Sequence, residues 1–447
     1  MTDLLGVARS LAQRADAEEE IEAYVSRGRE TSVRIFEQQI ESLSSAESAG
    51  LGVRVVSQGR VGFAWVAALD DSSASEALAA ARDNSRFATI DEHGGLAMPD
   101  GVEAAALDLW REDLLATPTE TKVDLAVELE RITRAADPRI RQIVHSDYSD
   151  GMGEAAIATS TGIEATTRRT TCFVSVSAIA GEGDDSQTGY GYSAGRHVAD
   201  LDVEKAAADA VTRATRLLGA TKPPSARLTV VLDRRITAML LGILAGTLSG
   251  EEVAKGRSLF ANRVGEEVAV RELSLVDDPT NPSAWGASQA DAEGLACRRN
   301  SLIEGGELLG YLYDTHAGRV AGTASTGSAV RGGYRTTPGI GARAVAMQPG
   351  KLSQEEIISR IDHGLFVQSV SGAHSGVNSV SGDFSVGAEG LMIRQGSLAE
   401  PVREITVAST IQRMLQHIAF IGGDVEWLPG AAAGLTLAID DMSMSGT

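Results

Sequence analysis

Apolar residues recur at helical spacing over Leu4, Leu5, Ala8, Leu11, Ala12 and Ala15, and Asp3 stands ready to cap them, so the chain should begin with an amphipathic helix. The period then drops to two. Ile21–Ser26, Ser32–Phe36, Ile40–Ala46, Leu51–Val56 and Val61–Val66 read as five short strands of an antiparallel meander, with Arg27-Gly28-Arg29 and Ser57-Gln58-Gly59-Arg60 as turns. Ser73-Ala74-Ser75-Glu76 has the spacing of a capping box and opens a helix to about Arg86. A second helix is expected over Thr119–Ala136, ended by Asp137-Pro138. Strands follow to about Ala194, punctuated by Thr161-Gly162 and Gly181-Glu182-Gly183, and a helix over Val203–Leu218 closes the series. Helices interrupting an antiparallel sheet define an α+β fold.

Two prolines in Gly219-Ala220-Thr221-Lys222-Pro223-Pro224-Ser225 stop that helix and stiffen the connection, which places the domain division there: an amino-terminal α+β domain over 1–220 and a carboxy-terminal domain over 225–447. Beyond the division, Leu228–Leu232 reads as a buried strand and Ile236–Leu248 as a helix. The rest is strand-rich, barrel- or sandwich-like, with helices expected over Ser353–His363 and Thr406–Phe420.

Composition adds constraints. Hydrophobic residues make up 43% of the 447, but aromatics only 4%, while glycine reaches 48; the interior must be built from Ala, Val, Leu and Ile around tight turns. Forty Lys and Arg against 61 Asp and Glu give a formal charge of -21, which repels nucleic-acid phosphates and anionic lipid. Direct nucleic-acid binding is thereby disfavoured, and the acidity is read as a solubility device. Cys172 and Cys297 alone cannot build a disulfide framework or a thiolate cage. The start Met1-Thr2-Asp3-Leu4-Leu5 has no signal-peptide pattern and no run of 18 apolar residues occurs, so no membrane association is expected and cytoplasm is the expected location.

Local motifs for chemistry are sparse. His93, His145, His197, His316, His363, His374 and His417 form no metal-binding pair on a helix face. Gly-x-Gly-x-x-Ala occurs at Gly151–Ala156, Gly189–Ala194 and Gly339–Ala344, which in a chain so rich in glycine and alanine marks chance rather than a dinucleotide site. Gly350-Lys351 lacks the rest of a phosphate loop, and no nucleophile elbow is present. Carboxylate pairs such as Asp184-Asp185 and Asp277-Asp278 are what an acidic chain produces freely.

Several segments, read in order, resemble the TldD/PmbA family, also called TldD/TldE or modulator of DNA gyrase proteins. They are Gly256-Arg257-Ser258-Leu259-Phe260, Val276-Asp277-Asp278-Pro279, Leu302-Ile303-Glu304-Gly305-Gly306-Glu307-Leu308, Met347-Gln348-Pro349-Gly350-Lys351, Ser381-Gly382-Asp383-Phe384-Ser385 and Gly396-Ser397-Leu398-Ala399-Glu400-Pro401-Val402. Their shared order and spacing over roughly residues 228–425 carries the resemblance.

In the catalytic TldD member, the resemblance implies a helix with His-Glu-x-x-x-His whose imidazoles hold zinc while the glutamate activates water. Aligned through Gly250 and Gly256, those positions fall on Leu241, Gly242 and Gly246, which offer no ligand and no base. A cysteine expected near the carboxy terminus of TldD-like chains is also missing from Pro429–Leu437. The chain thus looks like the zinc-less TldE (PmbA) subunit. The resemblance implies no catalytic residue and no metal in this chain, with zinc only in a TldD-like partner, joined as a heterodimer acting on unfolded or leader peptides; a homodimer is the other assembly. Arg331, Gly332, Gly333 and Tyr334 match a region lining the peptide cleft in relatives, and extended peptides would be held through backbone hydrogen bonds. Two further readings stay open: an independent hydrolase using Asp314, His316, His363 or His374, and a non-enzymatic modulator that binds gyrase or another protein.

Overall fold

The computed structural model describes residues 2–447. Its amino-terminal half is one six-stranded antiparallel sheet in the order β3-β2-β1-β4-β5-β6. The strands are β1 (Glu19–Phe36), β2 (Gln39–Ser57), β3 (Arg60–Val66), β4 (Ile140–Thr159), β5 (Glu164–Ala180) and β6 (Gln187–Gly195). Two meanders, β1 to β3 and β4 to β6, are thus joined where β4 pairs with β1.

Helices cover one face. α1 (Leu4–Ala12), capped by the Asp3 side chain, and α2 (Asp71–Phe87) bury Ile21, Ala23, Val25 and Val53. Beyond the one-turn α3 (Glu112–Leu115), α4 (Thr119–Ala136) and α5 (Val203–Thr215) cover Val33, Ile35, Val174 and Val176. These buried residues share one parity along their strands, so the opposite parity, including Glu22 and Tyr24, is left for the far face.

One expected turn and one expected strand break lie inside strands instead, while Gln58-Gly59 turns the chain between β2 and β3 as expected. Arg27-Gly28-Arg29 is the middle of β1, where Gly28 pairs with Ser48 on one side and Gly153 on the other, and the break before Leu51 is the middle of β2. The five short strands are therefore three, two of them long. The real turn falls at Glu37 and Gln38, both at positive φ without glycine.

The carboxy-terminal half is a closed, barrel-like sheet. β7 (Ala226–Leu232) precedes α6 (Arg234–Thr247) and α7 (Gly250–Ala254). A small sheet follows from β8 (Leu275–Asp277), β9 (Asn300–Glu304), β10 (Glu307–Leu308) and β13 (Val345–Met347), with α8 (Thr315–Ala321) and the ribbon β11 (Ala329–Val330) and β12 (Gly339–Ile340) between. After α9 (Gln354–Ser359) come β14 (His363–Ser371), α10 (Ala373–Gly376), β15 (Asp383–Arg394), β16 (Ser397–Thr410), α11 (Ile411–Gln416), β17 (Ile418–Ile421), the ribbon β18 (Glu426–Trp427) and β19 (Ala433–Gly434), and β20 (Leu437–Ser445). The main sheet runs β16-β15-β14-β7-β20-β17, and β16 also pairs with β20, which closes the ring. Only β7 and β14 are parallel.

The expected helix Thr406–Phe420 is corrected to the end of β16, the six-residue α11 and β17, because Ile405-Thr406-Val407 is a β-branched run that pairs with β15. α9 is six residues long, opened by a reciprocal capping box between Ser353 and Glu356. No helix among the described residues is long and apolar enough to cross a membrane.

Candidate functional site

α6 is the centre of the site. Asp233 caps it, accepting from the Arg235 backbone N–H at 2.9 Å, while its carboxylate also meets Arg213 of α5 at 2.9 Å, so the first turn is tied to the helix layer of the amino-terminal half. Ile236, Leu240, Leu241 and Leu244 are buried in the main core of the carboxy-terminal half. The other side carries Arg235, Met239, Gly242 and Gly246 at helical spacing. Gly242 and Gly246 are exposed, and a methyl group added at either would have no neighbour within 4 Å. The sequence-predicted positions thus divide, Leu241 serving the core and both glycines leaving a bare face.

The second departure from the TldD pattern, Pro429–Leu437, comes back to the same helix. β19 lies so close to the start of α6 that a Cβ on Gly434 would overlap the Arg234 carbonyl. Neither element offers a donor set for zinc: Leu241, Gly242 and Gly246 have no lone pair to give, and no three His, Cys, Asp or Glu among the described residues gather in metal-binding geometry. The residues here do not fit a zinc ion.

From α6 the bare face leads onto the far face of the amino-terminal sheet. Arg235 stacks over Tyr192 of β6 at 4.5 Å and donates to the Tyr190 carbonyl at 2.8 Å. Tyr192 in turn stacks on Phe173 of β5, centroids 5.3 Å apart. Phe173 and Trp285 border a trough of about 400 Å³ whose floor includes Ser32, Ser44, Ser149 and Gly151. Small side chains on three adjacent strands leave this part of the sheet low. Sequence reasoning missed Phe173, Tyr192, Arg235 and Trp285. One signal was available: in Gly189-Tyr190-Gly191-Tyr192 the glycines face α5 and the tyrosines must face away.

Arg331 and Tyr334, expected to line a peptide cleft, are placed inside the joint between the two halves. The Arg331 side chain is 2% exposed, pairs with Glu22 at 2.7 Å, donates to the Ala292 carbonyl at 2.6 Å and lies over the Tyr24 ring. Glu22 is shared with Arg54 at 2.6 Å. Burial works against the Glu22 carboxylate, but Arg331 and Arg54 outweigh it and hold it below the usual range. Tyr334 is buried against Gly50 and Gly52 of β2, and its ring meets Trp65 edge-on at 6.0 Å. Of this segment only Gly332 is exposed.

Next to this pair, Glu293 accepts from the Thr315 backbone and hydroxyl at 2.9 and 2.7 Å, and burial pushes its carboxyl up. Asp291 accepts three backbone N–H groups, yet burial, with Glu293 adding, raises it to about 7. The histidines do not converge. His316 pairs with Asp91 at 2.7 Å, His363 contacts Arg394, Asp314 caps α8, and His374 sits on α10. The glycine motifs also stay structural: Gly151–Ala156 is mid-strand in β4 and Gly189–Ala194 lies in β6, neither opening a helix.

Comparison with known proteins finds relatives along nearly the whole chain. Three family models match in succession: the PmbA/TldA metallopeptidase domain 1 over residues 21–85, the central domain over 112–218 and the C-terminal domain over 225–446. The chain is 27% identical to metalloprotease PmbA of Escherichia coli O157:H7, covering 91% of this chain and 88% of that one. It is 26% identical to a metalloprotease TldD homolog of Haemophilus influenzae, covering 89% and 87%. Among solved structures, TldE from Thermococcus kodakarensis superposes with a TM-score of 0.88 at 23% identity over 96% of this chain and 97% of that one. A protein from Bacteroides thetaiotaomicron described as a modulator of DNA gyrase gives 0.87 at 25% over 99% and 98%. With matches to all three successive parts of the family, the chain belongs to the PmbA/TldD family.

Proposed function

We propose that this chain is the non-catalytic, TldE/PmbA-like subunit of a heterodimeric zinc metallopeptidase that degrades unfolded or leader peptides in the cytoplasm. What carries the reading is α6. Its Leu241 is core packing and its Gly242 and Gly246 are bare, so the helix that bears ligands and base in TldD-like chains here offers a smooth wall. The adjoining trough, floored by small side chains and edged by Phe173 and Trp285, suits an extended chain with few side-chain demands. Zinc and the activated water belong to the partner in this scheme, and this chain contributes wall and floor to the chamber.

The test is co-expression with a TldD-like chain that carries His-Glu-x-x-x-His, followed by size-exclusion chromatography, metal analysis and turnover of an unfolded peptide. The expected result is a one-to-one complex whose zinc and peptidase activity both require the partner. Chelator-resistant activity of this chain alone would overturn the proposal.

A further inference from the structure

Two acids line the trough, Glu30 and Asp150, and only one of them points into it. Asp150 shares the parity of Tyr148 and turns to the helix face, where it pairs with Lys122 and accepts from the Tyr148 hydroxyl at 2.8 Å. Glu30 continues the parity of Glu22 and Tyr24 along β1 and so stands on the far face. Its neighbours across the strands there are Ala46 of β2 and Gly151 of β4, too small to screen it. A Cβ on Gly151 would come within 3.6 Å of Glu30 Cγ, so the side chain leans over that glycine. Glu30 is exposed, and its carboxylate has no ion pair or hydrogen bond among the described residues. The arginines of β1 and β5 on the same face are engaged elsewhere, Arg34 with Asp147 at 2.8 Å and Arg169 with the Ala287 carbonyl at 2.7 Å.

Aromatic rings border the same space. Trp285, half-buried, is fixed from both sides: Arg196 donates to the Ala284 carbonyl at 3.1 Å, Arg169 holds Ala287, and both alanines are fully buried. Phe173 stacks on Tyr192, and Tyr192 already carries the guanidinium of Arg235 at 4.5 Å. The face of an aromatic ring attracts a cation, as a carboxylate does. Acid and rings therefore favour one kind of ligand.

We propose that the trough takes a lysine or arginine side chain of an extended peptide, whose N–H groups donate to Glu30 while Phe173 and Trp285 flank its stem. The proposal rests on the reading of this chain as a peptide-holding subunit and adds a substrate class to it, peptides with basic residues. A charge-assisted hydrogen bond gives the contact its selectivity, since a neutral residue leaves Glu30 unanswered and an acidic one is repelled. The net charge of -21 acts in the same direction by drawing basic peptides toward the protein.

The test is fluorescence anisotropy on the full chain alone, with labelled eight-residue peptides that differ only by one central lysine or acetyl-lysine, which keeps the stem and loses the charge. The lysine peptide is expected to bind wild type about fivefold more tightly, and Glu30→Gln to abolish that preference. Because the Glu30 carboxylate makes no contact of its own, this substitution breaks no bond of the fold. Glu103→Gln removes the same charge from an exposed acid outside the trough and should keep the preference. Equal binding of the two peptides to wild type, no measurable binding of either, a preference that survives Glu30→Gln, or its loss in both variants overturns the proposal. The absence of partner-dependent turnover counts against the subunit reading instead.

Discussion

Glu22 in β1 and Arg331, 309 positions later, meet at 2.7 Å with both side chains 2% exposed. The pair fastens the far face of the amino-terminal sheet to the loops of the carboxy-terminal half. Taking Arg331 away leaves the buried Glu22 charge with Arg54 as the cation still hydrogen-bonded to it.

Arg331→Met should therefore lower stability by about 3–5 kcal/mol, read as a shift in the urea unfolding midpoint. The double variant Glu22→Gln with Arg331→Met should lose less than the sum of the single changes, since both single changes break the same contact.

Tyr334 makes a second fastening. A Cβ on Gly52 would overlap the Tyr334 carbonyl and come within 3.0 Å of Phe63. Gly52→Ala is expected to cost about 1–3 kcal/mol and to change the fluorescence of Trp65, whose ring touches Tyr334.

The joint should also respond to pH through Asp291. Its folded value of about 7 stands above the ordinary 3.8, so the native state holds its proton more tightly than the unfolded chain. This group's contribution is most favourable below pH 4, declines as pH rises toward 7 and is constant above. Compared with wild type, Asp291→Asn should gain stability progressively between pH 4 and 7, by more than about 1 kcal/mol in total. Urea midpoints of both proteins at pH 5 and 8 check it; parallel changes would contradict the assignment.

α6 separates into two faces that mutation should distinguish. Leu241→Ala empties core space and should cost about 2–5 kcal/mol. Gly246→Ala meets nothing and replaces a poor helix former, for an expected gain of about 0.5–1 kcal/mol. Thermal melts of the two variants give opposite signs if the faces are as described.

Much of this arrangement is legible in the residues. The strand character of β1 and the cap of α1 can be read directly, since they depend on local spacing and residue chemistry, whereas the lack of zinc donors at Leu241, Gly242 and Gly246 is read through the family resemblance. What escapes depends on partners far along the chain. Gly28 looks like a turn until Gly153 and Ser48 are seen to flank it. Arg331 looks like a cleft residue until Glu22 is found beneath it, and Arg169 looks like ordinary surface charge until its guanidinium is found donating to the Ala287 carbonyl. Glu37 and Gln38 turn the chain with no glycine to announce it.

The closed ring of the carboxy-terminal half has a consequence for how the protein is made. Arg227 in β7 finds its partner Asp441, at the bulge in β20, 214 positions later, and β16 also waits for β20 to complete its pairing. During synthesis the amino-terminal sheet can form as soon as β6 emerges, whereas β7 must travel with a free edge until nearly all the described chain has left the ribosome. A nascent chain stalled before β20 would carry two open strand edges. Such a product should be the form that chaperones hold and proteases remove.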